Sequence, residues 1–314
     1  MAEAVATTII DAPVETVWAT LRDFNGLPRW NPGIRDSNIE DGRDADSVGC
    51  IRAFHLADGR FVRERLLELD DSRYRMRYNF ETPAFPVANY LATLELVPVT
   101  NGDRTFARWH ASFDEAPADS GKYSALISKD VFAAGLKALA EYVAHAPAPS
   151  IDDARWQGLR PAKVFTSSVI RAPLPAVWEK MRDFAGMKDW HEDIPQMAMI
   201  DSVRSDKVSG VRDFIFGDGQ LHEQLTWLSD HDHAFRYRIL KSPMPWLNYH
   251  AGAQLYPLTD CDHTFAVWTA DWTAAPQDDL TLIPNVHENV FQKAFDTLDQ
   301  QLFRSPAAGP ARTV

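Results

Sequence analysis

The sequence predicts an α+β protein of two tandem domains, each a curved antiparallel sheet wrapped around one long C-terminal helix. The first observation behind this is an internal repeat. Residues 12–30, APVETVWATLRDFNGLPRW, align with 172–190, APLPAVWEKMRDFAGMKDW. Trp18 and Trp178, the RDF triplets beginning at Arg22 and Arg182, and Trp30 and Trp190 keep one constant offset. Farther on, TFARWHASF (105–113) matches TFAVWTADW (264–272) after the loss of a single residue, so one fold is written twice. The second observation is that both copies carry the same order of elements. The third is size: 314 residues with 45% hydrophobic content suffice for two ordinary domains.

The elements follow in order. A short strand (5–11; 163–170) leads to a helix opened by Pro13 or Pro173, a residue suited to a first helical turn because its missing N–H has no partner there. Alternating segments come next, divided by the turn signals ADG (57–59), DDS (70–72) and NGD (101–103). A long amphipathic helix closes each copy, at about 120–145 and 279–303. In the second, Val290, Phe291, Ala294, Phe295, Leu298 and Leu302 form an apolar stripe at helical spacing. The expected domains are therefore 1–147 and 163–304, joined by a Pro/Ala/Asp-rich linker at 148–162. The tail, 305–314, is expected to be disordered. A sheet covered by a helix on one face tends to leave a cavity between the two.

Composition excludes several classes. The net charge of −12 argues against nucleic acid or an anionic membrane surface as partner. No apolar run approaches the roughly 18 residues a membrane span requires. The first residues show no basic and apolar leader, which points to a cytoplasmic location. Cys50 and Cys261 make neither a disulfide framework nor a zinc spacing, and both read as small buried hydrophobes. No Gly-rich phosphate loop or nucleophile elbow is present, so no nucleotide cofactor and no serine hydrolase chemistry are expected.

Side chains alternate faces along a strand, so parity sorts them. In RYRMRY (73–78), Tyr74, Met76 and Tyr78 point inward and the arginines outward. The same test puts Arg52 inside with Cys50 and Phe54, Glu64 with Val62 and Leu66, Tyr90 with Ala92 and Leu94, and Trp109 with Ala107 and Ala111. The second copy repeats each placement with Arg212, Glu223, Tyr249 and Trp268. Charged side chains are seldom fully buried without a partner. An internal Arg–Glu pair at ~4 Å gains about 4 kcal/mol at an effective dielectric near 20. Desolvation can exceed that gain, so the pair either braces the sheet or anchors a ligand.

At these residues the chain resembles a known superfamily. The pattern VGCIR … DG … ERLLELDD … RY … NY.AT (48–93), carried by both copies, is similar to the START/Bet v 1-like, polyketide-cyclase-type helix-grip proteins. Two branches come nearest in motif: lachrymatory factor synthases, which rearrange a small sulfenic acid without a cofactor, and abscisic acid receptors, which bind a carboxylic acid and do no chemistry. The resemblance implies that Arg52, Glu64 and Tyr90, and again Arg212, Glu223 and Tyr249, line a ligand site. The receptors' Ser-Gly-Leu-Pro-Ala gate is replaced here by HLADG (55–59) and FGDG (216–219). Their His-Arg-Leu latch is replaced by PAFPVA (83–88) and PMPWL (243–247), which weighs against a hormone receptor.

The expected activity is that of a cofactor-independent lyase, cyclase or isomerase, with no metal. Glu64 and Glu223 would be bases, Arg52 and Arg212 anion anchors, and Tyr90 and Tyr249 proton donors. Substrate contacts are expected from Trp30, Asn31, Tyr78, Phe85, Asn89 and Trp109, and from Trp190, His191, Trp246, Asn248 and Trp268. The aromatic supply points to a hydrophobic, aromatic small molecule as partner. The alternative is a non-catalytic binding or carrier protein for such a molecule. Homodimerisation and the direction of His191 and His287 are left open.

Overall fold

The computed structural model describes residues 1–145, 161–217 and 219–304. All but the last two residues of the expected linker, and the whole of the expected tail, lie outside the described residues. The chain divides into two compact units, Met1–Leu159 and Arg160–Val314.

In the first unit the order is β1 (Ala2–Ile10), α1 (Val14–Leu21), α2 (Leu27–Trp30), β2 (Ile34–Ile39), β3 (Ile51–Leu56), β4 (Phe61–Asp70), β5 (Arg75–Thr82), β6 (Ala88–Val99) and β7 (Arg104–Asp114). Then come α3 (Lys122–Leu126), a π-helical stretch (Ile127–Ala133) and α4 (Ala134–Val143). The strands form one antiparallel sheet ordered β1-β7-β6-β5-β4-β3-β2. The second unit repeats this with β8 (Val164–Ile170), α5 (Leu174–Arg182), β9 (Met197–Met199), β10 (Val211–Phe216), β11 (Gly219–Ser229), β12 (Ala234–Lys241), β13 (Leu247–Pro257) and β14 (Thr264–Thr273). Its sheet runs β8-β14-β13-β12-β11-β10-β9. It closes with α6 (Pro276–Asn285), a π-helical stretch (Val286–Gln292) and α7 (Lys293–Arg304).

The repeated RDF triplet has a structural reason. Trp18 Nε1 donates to Asp71 Oδ1 at 2.7 Å, and Arg22 forks onto the same carboxylate through Nε at 2.9 Å and a terminal nitrogen at 3.1 Å. This fastens α1 to the turn after β4. Trp178 and Arg182 clasp Asp230 in the same way, at 2.9 Å and 2.6 Å. Arg182 first, and then Trp178, holds the Asp230 carboxyl down to about 2.

Pro13 and Pro173 sit at the N-cap, one residue ahead of the helical turns they introduce. Each closing helix was expected to be a regular α-helix, and each instead contains a π-helical stretch. It falls where Phe132 stacks on Trp109, and Phe291 on Trp268, both with ring centres 4.8 Å apart. Burial of α4 follows the apolar stripe through Leu136, Leu139 and Val143, and in the second unit through Phe291, Ala294, Phe295 and Leu298. Each fully buried side chain of this size contributes about 1.5–3 kcal/mol. Cys50 is buried, but Cys261 is exposed, because it lies in the turn between β13 and β14 instead of in a strand.

Candidate active site

On the inner face, adjacent strands bring Arg52 of β3 opposite Glu64 of β4, and Arg212 of β10 opposite Glu223 of β11. Arg52 is 4% exposed and Glu64 5%. Two guanidinium nitrogens of Arg52 converge on Glu64 Oε2, at 2.7 and 2.6 Å, and a third donates to the Phe24 carbonyl at 2.8 Å. The Phe24 ring lies under the guanidinium at 3.9 Å, with Tyr78 at 5.1 Å. The second unit keeps this arrangement. Arg212 donates from Nε to Glu223 Oε2 at 2.7 Å and to the Phe184 carbonyl at 2.6 Å, over the Phe184 ring at 3.9 Å.

Burial pushes the Glu64 carboxyl above its ordinary range, against the opposing pull of Arg52, and Glu223 is raised likewise against Arg212. Tyr90 and Tyr249 are buried, and desolvation raises both phenols well above the usual tyrosine range, with Tyr78 and Tyr237 adding to the rise. Tyr90 stacks on Phe80 with centroids 4.0 Å apart, and Tyr249 lies nearly parallel to Trp272.

A defect in the strand lies just ahead of each tyrosine. Asn89 and Asn248 adopt left-handed backbone, at φ 52° and 54°, and the pairing of β6 with β7 and of β13 with β14 slips there. The extra residue is a β-bulge, and beyond it Tyr90 and Tyr249 keep step with the buried Ala92 and Ala251. Asn tolerates this conformation better than most residues.

The remaining predicted residues divide between the inner wall and elsewhere. Trp30, Tyr78, Trp109, Trp190, His191 and Trp268 are buried. Trp246 is half-buried against Tyr249 at 4.8 Å. Phe85 is half-buried against Tyr123 at 6.1 Å, with the Arg60 guanidinium over its ring. Asn89 and Asn248 are exposed, and the Asn89 amide donates to Asp114 at 2.7 Å. The Asn31 amide oxygen accepts from Gly33 N in a tight turn. His287 bonds the buried Thr166 hydroxyl at 2.7 Å, while Glu192 and Asp193 pair with Lys293.

Sequence reading omitted Phe24 and Phe184, which seat each arginine from both ring and carbonyl. The signal was available, since both belong to the repeated RDF triplet. It also left Tyr237 out of the site, although parity places it inside like Tyr78. A depression of about 400 Å³ in the second unit is lined by residues that include Arg236, Tyr237, Arg238, His250, Ala251 and Asp271. Neither Arg212 nor Glu223 lines it, so it is separate from the ion pair.

The sequence pattern of the family described as polyketide cyclase / dehydrase and lipid transport matches residues 1–144 and again 161–302. Among solved structures, a protein of Thermobifida fusca is 30% identical, covering 51% of this chain and 98% of its own, with a TM-score of 0.41. The protein XoxI from Bacillus cereus is 28% identical over 46% of this chain and 97% of its own, with a TM-score of 0.42. The di-domain ARO/CYC BexL from the BE-7585A biosynthetic pathway is 12% identical, covering 98% of this chain and 100% of its own, with a TM-score of 0.41. Among the described residues, no helix is long and apolar enough to cross a membrane.

Proposed function

We propose, from the premise that this chain belongs to the polyketide cyclase / dehydrase and lipid transport family, that it is a cofactor-independent enzyme of the lyase, cyclase or isomerase type. Its substrate is a hydrophobic, aromatic small molecule. The observation that carries the reading is the buried Arg–Glu pair, in which burial raises the carboxylate's proton affinity even beside a guanidinium.

Charge conservation explains why such a pair suits proton transfer. Before reaction the arginine's charge is balanced by the glutamate. As Glu64 takes a proton from carbon or oxygen of the substrate, negative charge moves to the substrate oxygen. The guanidinium then balances that oxyanion without leaving its place, so no uncompensated charge is created in the apolar interior. Both contacts from Arg52 fall on Oε2, and we assign Oε1 to the proton. Tyr90, kept protonated by its surroundings, donates a hydrogen bond to the same oxygen, and Glu64 then returns its proton to the product, which restores the ion pair. Glu223, Arg212 and Tyr249 take the same roles in the second repeat.

One observation favours a binding or carrier role instead: the contacts of each arginine go to its glutamate and to a phenylalanine carbonyl, as a structural brace requires. Turnover separates the two. A molecule that co-purifies with the protein is identified by mass spectrometry, and its precursor is supplied without cofactor. Glu64→Gln with Glu223→Gln is expected to lower the rate about a hundredfold or more. Unchanged turnover in both single variants and the double variant would remove the glutamates from the mechanism.

A further inference from the structure

The repeats differ at the tryptophan beside the inner tyrosine. In the first, Trp109 Nε1 donates to Tyr78 Oη at 2.9 Å, so the two polar atoms satisfy each other. In the second, Trp268 is 1% exposed and its Nε1 has no hydrogen-bond partner among the described residues. Its N–H still acts on the Tyr237 phenol and lowers that group's proton affinity, without meeting the geometry of a hydrogen bond.

The cause lies on the closing helix. Gly135 packs under Trp109, where a Cβ would stand 2.8 Å from Cζ3 of the indole. Such an approach is closer than real Cβ contacts come, so the indole can sit where it does only over glycine. Phe132 and Phe291 stack identically on their tryptophans and fix the register between the helices. That register puts the fully buried Ala294 at the position of Gly135. There a methyl stands where Gly135 has only hydrogen.

Trp268 is not alone. Trp190 Nε1, His191 Nε2 and Trp246 Nε1 are also buried without a hydrogen bond of ordinary geometry among the described residues, although the Val290 backbone raises the proton affinity of the His191 ring. All four side chains belong to, or pack against, the apolar core that contains Tyr237 and Tyr249, His191 by its ring contacts with Trp190 and Phe216. Every one of these atoms is a donor. The indole nitrogens can do nothing else. His191 Nδ1 accepts from Asp193 N at 3.3 Å, which leaves the hydrogen of the neutral ring on Nε2.

Only Trp190 has a like counterpart, in Trp30. Val87 stands at the place of Trp246 and has no side-chain donor, Asn31 stands for His191 and is used in its turn, and Trp109 is bonded. The unpartnered buried atoms of the first unit, Arg77 Nε and Asn79 Oδ1, are on the strand that carries Tyr78, as its two immediate neighbours, and so face the other way.

Buried donors without acceptors are costly and rarely tolerated without reason. We infer that the second repeat binds an oxygen-rich ligand, with carbonyl or phenol oxygens as acceptors, more tightly than the first, and that the Gly135/Ala294 difference sets this by loosening Trp268 from Tyr237. The inference rests on the proposed interior site and goes on to say which repeat favours which chemistry.

The test measures binding of 1-hydroxy-2-acetonaphthone to the full chain by calorimetry, with naphthalene as the oxygen-free control. Indole N–H resonances are followed by nuclear magnetic resonance. Two hydroxyketone sites per chain are expected, the tighter one shifting the Trp268 signal and not that of Trp109. Trp268→Phe is expected to weaken the tighter site about tenfold while naphthalene is unaffected, and Trp109→Phe to act on the weaker site alone. Ala294→Gly, which lets the indole settle onto Tyr237, is expected to weaken the hydroxyketone alone, and it serves as the second variant if Trp268→Phe does not fold. Equal affinities in both repeats, or loss of the tighter site from Trp109→Phe as large as from Trp268→Phe, would overturn the inference and leave the interior ligand site standing. Failure of either probe to bind any form would overturn both.

Discussion

Set side by side, the two repeats agree around the ion pair and diverge around the tryptophan. Both keep the Arg–Glu contact, the phenylalanine seated under the guanidinium and the bulge at asparagine. Both keep the clasp of Trp and Arg on one aspartate. They part at Gly135 against Ala294, Asn31 against His191 and Val87 against Trp246. The shared features are those that hold helix, turn and sheet together. The differing ones change which polar groups the interior leaves unpaired. A duplicated fold can therefore hold its frame constant and alter its chemistry a few side chains at a time.

The largest effect should come from the part the repeats share. Arg52→Met leaves Glu64 buried without its cation and the Phe24 carbonyl without its donor. It is expected to cost about 3–5 kcal/mol, and Arg212→Met the same in its own repeat. Denaturant unfolding of each variant measures this, and a loss in only one repeat would break the equivalence. Next is the part they do not share. Gly135→Ala drives a methyl into Trp109 and is expected to destabilise by about 1–3 kcal/mol. Ala294→Gly relieves no clash and should cost about 1 kcal/mol, the helical penalty of glycine. Similar values for the two would mean that the indoles do not differ in crowding.

The smallest effect is on pH dependence. The Glu64 and Glu223 carboxyls are raised above the ordinary value of 4.5. In the window above that value the folded chain holds more protons than the unfolded one, so these groups make stability fall as pH rises through it. The carboxylates of Asp206 and Asp230, which pair with arginine without being buried, act in the opposite sense, being held down to about 2. The difference between the parent protein and Glu64→Gln isolates the first contribution. A flatter slope above pH 4.5 is expected in the variant, and an unchanged slope would contradict the raised carboxyl.

Much of this was legible in the sequence because a strand has a period of two. Parity alone put Arg52, Glu64 and Tyr90 on one face, since each sits among apolar neighbours two residues away. Where the period breaks, the reading also breaks. The slip at Asn89 and Asn248 leaves no mark on composition, and these two exposed asparagines alternate with the inward tyrosines and face the other way. The π-helical stretches escaped for a similar reason, because one widened turn hardly disturbs an apolar stripe. Whether a tryptophan reaches its neighbouring tyrosine turns on a distance, 2.9 Å between Trp109 and Tyr78. No pattern of residue types records that distance.

The glycine under Trp109 bears on how such a chain changes over generations. Glycine and alanine codons differ at a single base, GGN against GCN. If the indole's bond to tyrosine depends on that base, a duplicated gene needs no gradual remodelling to divide labour between its halves. A single point mutation on the far side of the ring would suffice, and a single reversion would undo it. The divergence of the two interiors is then open to reconstruction in the laboratory, one codon at a time.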